Sequence, residues 1–448
     1  MNVWMYIAAF LFPLDNFPLM FGQAYKPISL LFIAVYFILN LPYLFRLRYR
    51  AIELWIAVIF ITIVLYTGFQ NVKMHYSFIG LMDAISSLGA GLLVYLSFRI
   101  FIYRNNKDAS YLKLFKYILR GYGVAIAVGV LQLIYIYAFR SGMISTLIDL
   151  FVNRDIYRVA NRVHFTFSEP SYIGLHTNLF LIPAYLILKN KNCLSKLDKW
   201  IVFSFIPISL FSLSIRYMID LLVLYIVYVF VTSKAREGFK IIMKLTAMAS
   251  IIAVLLNVIF VQNIFHLKAD HYHRIANMMS NPSIISKDIS FSIRSTYSEI
   301  GLRAFLDNPM IGYGLGNFYY GYMNHLDMVP PSLLKKGSEF SQATTNLSLP
   351  QYNMYTRLLS EFGLIGMLLL MAVAALFHSF KGRNFAKMIM VLLAYSLMQF
   401  DSFAFIQLTF WLACFQSGFI SQLQLDRSSQ KEGGKVPAAF ASKPAIIT

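Results

Sequence analysis

Between two blocks of apolar sequence the chain reads QNIFHLKADHYHRIANMMSNPSIISKDISFSIRSTYSEIGLRAFLDNPMIGYGLGN, from Gln262 to Asn317, and it stays polar as far as Tyr352. Most of the rest is one apolar run after another. A bilayer core offers irregular backbone no hydrogen-bonding partner, and each unsatisfied peptide group there costs several kcal/mol. Residues 263–352 are therefore expected to lie outside the hydrocarbon, as a folded cap on one membrane face. A structureless connection of that length is unusual, and long ordered loops tend to carry function.

Composition agrees with a membrane platform beneath such a cap. Of the 448 residues, 58% are hydrophobic and only 13% charged, about half the charged share of a soluble domain. The expectation is an all-α polytopic membrane protein with about twelve spans, near 3–21, 28–45, 53–69, 76–101, 115–139, 171–188, 200–213, 218–233, 241–262, 353–378, 384–399 and 403–422. That divides the chain into 1–262 with nine spans and a connection at 140–170, the cap at 263–352, three spans in 353–422, and a polar tail at 423–448.

The net charge of +19 does not argue for nucleic acid, because the basic residues are dispersed at span ends. The connections starting at Arg46, Arg104, Lys189, Lys234 and Lys381, with the tail, hold 23 of the 39 basic residues. By the positive-inside rule this excess places both termini in the cytoplasm. Pro13, Asp15 and Pro18 interrupt the first apolar stretch, which suits a bent first span better than a cleaved signal. Two cysteines, Cys193 and Cys414, provide neither a disulfide framework nor a thiolate metal site.

Three connections on the opposite side keep arginine against this bias. They are 140–170 with Arg140, Arg154, Arg158 and Arg162, the short turn at Arg216, and the cap with Arg294 and Arg303. The first ends in Arg162-Val163-His164 and then FSEPSYIG, Phe167 to Gly174. Proline suits a first helical turn and disfavours helix just before it, so Ser168 or Glu169 is expected to cap a span, with Glu169 beside Arg162. Arg216 lies between strongly apolar spans, where an ionisable side chain is costly and points to function. Asp220, four residues on, could instead simply pair with it.

Inside the cap, residues 290–307 read as an amphipathic helix with Ile293, Tyr297, Ile300 and Phe305 on its apolar side. The helix stops at Asp307-Asn308-Pro309. The following GYGLGN, Gly312 to Asn317, has no βαβ surroundings for a dinucleotide and no repeated pore unit for an ion filter. It reads as a glycine turn that lets the cap approach the membrane or a ligand. His266, His271 and His273 lack a carboxylate–histidine pattern and read as surface rather than metal ligands. Beyond the cap, Asn353, Arg357 and Glu361 recur every four residues, as a polar stripe suited to a wet cavity or as an Arg357–Glu361 pair.

FSEPSYIG, IRSTYSEIGLRAFLDNPMIGYGLGNF and YNMYTRLLSEFGLIG, in this order, resemble the O-antigen polymerase and O-antigen ligase superfamily. The resemblance covers about 160–366. It implies a GT-C-like, inverting glycosyltransferase of the bacterial inner membrane with one large periplasmic loop, here the cap. Its substrates would be undecaprenyl-diphosphate-linked glycans held in the lipid bilayer, and a chain-length regulator is a further partner it brings into view. In ligases of that family the last motif begins His-Asn and the histidine is thought to be catalytic. Here Tyr352-Asn353 stands in that place. A tyrosine is a poor base at neutral pH, which favours a polymerase of repeat units over a ligase; a lipid-linked oligosaccharide flippase is the more distant alternative. On this reading Arg162, Arg216 and Arg294 grip the diphosphate and Glu169 or Glu361 supplies the base. Arg158, Tyr352, Asn353 and Arg357 are further substrate contacts. The cap side has no Asp-rich motif, so neither metal nor other cofactor is expected.

Overall fold

The structure is a computed structural model and describes residues 2–18, 25, 27–105, 108–232, 289–334, 338–378 and 384–419, with scattered positions between 238 and 277. Most of the expected 241–262 span, the three cap histidines, Lys287, Lys335, Lys336 and the tail lie outside the described residues. The elements are helices: α1 (Val3–Phe10), α2 (Ser29–Leu39), α3 (Ala51–Met74), α4 (Ile79–Arg104), α5 (Asp108–Tyr137), α6 (Gly142–Asp149), α7 (Ile156–Val159), α8 (Tyr172–His176), α9 (Ile182–Asn190), α10 (Lys196–Leu210) and α11 (Ile215–Thr232). After the cap's first portion come α12 (Ile289–Asp307), α13 (Phe318–Asn324), α14 (Glu339–Ala343), α15 (Met354–Phe362), α16 (Leu364–His378), α17 (Asn384–Leu397) and α18 (Ile406–Gln416).

Among the described residues four helices are long and apolar enough to cross a membrane: α3, α4, the stretch Ser110–Tyr137 of α5, and α11. Along α3 the side chains of Trp55, Val58, Ile61, Leu65, Phe69 and Val72 are exposed, as befits a helix with lipid as its solvent. Other expected spans are shorter or broken, three of them with a visible cause. The first stops at Phe10 and turns toward Asp15, whose carboxylate accepts the Ser168 amide at 2.8 Å. The 171–188 span consists of α8, a π-helical turn at Thr177–Leu181, and α9, with Pro183 beside the joint. Proline cannot donate to the preceding turn, and a widened turn accommodates it. The 353–378 span is two helices meeting at Gly363, whose φ is +60°. There the Leu364 amide donates to the Pro309 carbonyl at 2.7 Å, so the cap's Asn308–Pro309 corner sits in the break.

The main core gathers Phe98 and Phe101 of α4, Tyr122 of α5, Phe205 of α10, and Phe410 and Trp411 of α18. Helix α4 packs on α18 and α2, α5 on α1 and α10, and α11 on α17. The cap has its own smaller core around Tyr297, Ile300, Phe318, Tyr322 and Phe340. Its central helix, α12, coincides with the amphipathic helix expected at 290–307. Tyr297, Ile300 and Ala304 are its buried face, while Phe305 is half-buried.

The glycine turn after α12 is where cap and platform meet. Leu315 donates its amide to Thr67 Oγ1 at 2.9 Å, and Asn317 reaches Asn71 at 2.6 Å. Gly316 has φ +76° and lies so close to Gly80 of α4 that a Cβ on either would strike the other's carbonyl oxygen. Only glycine meets both demands, and the turn does bring the cap onto the helices.

Candidate active site

Arg216 is the second residue of α11, at the end of a candidate span rather than midway along it. Its guanidinium lies 4.0 Å from the centroid of the Phe400 ring, and one terminal nitrogen donates to the Gln399 carbonyl at 3.1 Å. Its Nε donates to the Gln399 side-chain oxygen. The Gln399 amide in turn donates to Asp220 at 3.3 Å, beside the Tyr395 hydroxyl at 2.7 Å. Gln399 therefore bridges Arg216 and Asp220 in place of the direct i,i+4 pair. The buried Asp220 carboxylate fits because Gly174 faces it, where any Cβ would overlap its oxygens. This gives the last residue of FSEPSYIG a structural reason.

From the other side the cap helix α12 presents Arg294. Arg216 feels its charge as well as those of Asp220 and Glu169. The Arg294 guanidinium lies 5.5 Å from the centroid of the Tyr352 ring. The Tyr352 hydroxyl donates to Glu339 Oε1 at 2.7 Å. Tyr352 has φ +57°, a strained setting for a bulky residue, costing about 1–3 kcal/mol, that persists only where its surroundings enforce it. Burial pushes the Glu339 carboxyl up from the usual range; the Tyr352 hydroxyl and Arg294 pull it down, and the charge of Glu169 pushes it up. Burial, then the charge of Glu339, drives the Tyr352 phenol well up, so it stays a donor.

Arg216 and Arg294, remote in sequence, thus come near enough to act on one another's charge; Glu169 acts on Arg216, and Glu339 and Tyr352 lie beside Arg294. Like charges held within reach of each other in partial burial are costly unless an anion joins them, which is what a diphosphate does. A model of the O-antigen ligase family matches residues 200–371. That match places this stretch in the O-antigen ligase and polymerase superfamily. No curated protein matches it. Superfamily members are membrane glycosyltransferase-like enzymes, and lipid-linked glycans are the substrates the family suggests. The matched stretch includes Arg216, Arg294, Glu339, Tyr352, Arg357 and Glu361, whereas Arg162 and Glu169 lie upstream of it.

The other expected site residues are placed as follows. Arg162 donates from Nε to the Ser212 carbonyl at 2.7 Å and from a terminal nitrogen to the Leu213 carbonyl at 3.4 Å, tying down the turn that leads into Arg216. Glu169 pairs with Arg154 at 3.0 Å, not with Arg162, and its second oxygen accepts from Ser171. It precedes α8 without capping it, because the helix begins only at Tyr172. Asn353 caps α15 by accepting from the Tyr355 amide at 2.9 Å. Arg357 and Glu361 do pair, at 3.1 Å, with Glu361 buried and Arg357 partly so. Glu361 also accepts the Gly316 amide at 3.0 Å, and Arg357 donates to the Asp401 carbonyl at 2.7 Å. Arg158 pairs with Asp149 and Asp155 in the 140–170 connection.

Sequence reasoning passed over Glu339, which no motif marks. It also passed over a buried network in which His176 meets Asp15 at 3.2 Å, Tyr122 at 3.1 Å and Gln407 at 3.0 Å. Asp15 also accepts the Ser168 amide, so this network fixes the segment that carries Glu169. The spacing of Asp15 and His176 carries no local signal, because the contact is made only by folding.

Proposed function

We propose that the chain polymerises undecaprenyl-diphosphate-linked oligosaccharide repeat units at the periplasmic face of the bacterial inner membrane. The observation that carries this reading is the Arg216–Arg294 juxtaposition at the mouth of the helices. As the bond from the anomeric carbon to the lipid diphosphate breaks, negative charge grows on the leaving group. Fixed guanidinium groups stabilise that charge more than they stabilise the bound substrate, which is what lowers the barrier. Arginine suits the task because its planar fork grips two phosphate oxygens at once. Arg162 contributes by holding the turn on which Arg216 is mounted. The incoming nucleophile is a sugar hydroxyl of the next lipid-linked unit, and attack opposite the diphosphate inverts the anomeric centre.

The position of Arg216 at a span end supports transfer over transport, since transporter sites lie near the bilayer midplane. Ligase activity, with the same donor and a different acceptor, is the second reading, favoured by the description of the matching family. Tyr352 in place of the ligase histidine supports polymerisation.

The test is purified protein incubated with a defined lipid-linked repeat unit and resolved on a gel. A ladder of products is expected. Transfer only to a lipid acceptor that lacks a diphosphate would make the protein a ligase. Passage of the intact substrate across vesicles without transfer would make it a transporter.

A further inference from the structure

We propose that Glu339 is the catalytic base of the transfer and Tyr352 its positioning residue. The inference rests on the transferase reading above and names the group that takes the acceptor's proton. Asp220, Glu169 and Glu339 interact with the two arginines, Glu361 and Asp401 with Arg357, and hydrogen bonds narrow the choice among the five. Glu169 spends one oxygen on Arg154 and the other on Ser171. Glu361 is held by Arg357 and the Gly316 amide. Asp220 is buried, with one oxygen bonded to Tyr395 and Gln399 and the other, without a hydrogen-bond partner among the described residues, closed off by Gly174. Asp401 accepts the Gln351 amide at 2.6 Å on one oxygen and takes no hydrogen bond on the other among the described residues, but its charge acts on Arg357 rather than on the arginine pair, and the Asp401→Asn variant tests it. Glu339 is half-buried; its Oε1 accepts the Tyr352 hydroxyl, and its Oε2 takes no hydrogen bond among the described residues.

A base needs an open lone pair, a fixed direction and a proton affinity near the working pH. Tyr352 supplies the direction, itself locked in its left-handed backbone conformation. The groups that set the proton affinity of Glu339 are Tyr352, Arg294 on α12 and Glu169 on the 140–170 connection; Tyr297 on α12 also faces it. Partial burial raises that affinity above an ordinary glutamate's.

In the step, Glu339 Oε2 takes the proton from the acceptor hydroxyl. The acceptor oxygen bonds to the anomeric carbon while the bond from that carbon to the diphosphate oxygen breaks. The electron pair leaves with the lipid diphosphate, between Arg216 and Arg294. The proton on Glu339 then passes to solvent.

The experiment measures initial transfer rates of the full-length purified protein against pH, with a defined undecaprenyl-diphosphate repeat unit as donor and acceptor. Glu339→Gln is expected to lose about 10²-fold or more in rate while still binding the donor, which shows that the variant is folded. Glu299→Gln, exposed on α12, is expected to match the unaltered protein. A base must be ionised, so the rate should climb as pH rises through the elevated Glu339 range. Tyr352→Phe removes a hydrogen bond that favours the ionised form, so this acid limb should move to higher pH. A merely structural Tyr352 would lower the rate without moving the limb. The proposal is overturned if Glu339→Gln keeps more than about a tenth of the rate, if the limb stays in place in Tyr352→Phe, or if only Asp401→Asn abolishes transfer. Transfer by the unaltered protein alongside any of these results leaves the transferase reading standing; absence of transfer by the unaltered protein overturns both.

Discussion

Arg357 and Arg216 enter their helices in the first turn, and each grips the loop between α17 and α18. Arg357 donates to the Asp401 carbonyl and lies over Phe403; Arg216 donates to the Gln399 carbonyl and lies over Phe400. The scaffolding contacts are nearly the same, and the charge balance is opposite. Arg357 has Glu361 in direct contact, and that glutamate also holds the glycine turn of the cap. Arg216 meets its nearest carboxylate only through Gln399 and feels the charge of a second arginine. Where a carboxylate touches the arginine the charge is closed and organises structure; on the proposed function, the two arginines without such a contact among the described residues are the ones that meet the diphosphate.

The comparison can be broken most directly by removing these two arginines. Arg216→Ala and Arg294→Ala should each lower transfer about 10²–10³-fold at matched membrane expression, as removal of a transition-state donor does elsewhere. Lysine at either position should not restore it, because the charge returns without the fork. Near-normal chain formation in both alanine variants would end the distinction between the two arginines.

Next in size is an effect on stability rather than rate. Glu361→Gln keeps the shape and removes the charge from a buried, charge-assisted pair, costing about 1.5–3 kcal/mol. Thermal unfolding in detergent should shift down, while the rate per folded molecule changes far less than in Arg216→Ala. A rate collapse at unchanged stability would place Glu361 in the chemistry instead. Arg162→Ala should come third. Loss of its carbonyl contacts costs about 0.5–1.5 kcal/mol, and loosening the turn before Arg216 should slow transfer severalfold. Smallest of all, Arg158→Ala should leave transfer within error, because an exposed ion pair is worth about 0–1 kcal/mol. Transfer in excess chelator should also persist; complete loss restored by magnesium or manganese would show that arginine is not the only cation at the site.

What could be seen in the sequence was whatever is decided locally. The helix at 290–307 declared itself through the spacing of Tyr297 and Ile300 and its stop at Asp307-Asn308-Pro309. The glycine turn was legible because a cluster of three glycines has few other uses; Arg216 stood out because arginine among apolar spans is expensive, and Arg294 because it runs against the charge bias of its side. Partners set by tertiary folding stayed hidden. Glu169 was matched with Arg162, its neighbour in the motif, whereas the fold delivers Arg154. The break at Gly363 could not be read, because its cause is the Pro309 carbonyl arriving from the cap. Glu339 lies in an unremarkable polar stretch and gains its setting only when Tyr352 is laid beside it.

Part of the joint between cap and helices is made by peptide groups alone. Tyr313 and Gly314 donate their amides to the carbonyls of Ser360 and Glu361, each at 2.9 Å, and Leu364 donates to Pro309. Peptide groups are common to every residue type except proline, which lacks the donor. The outward side chains of the cap can therefore be rewritten without undoing its attachment. On the proposed function, the cap's outward surface can then change with the sugars it meets while the peptide joint beneath it stays the same.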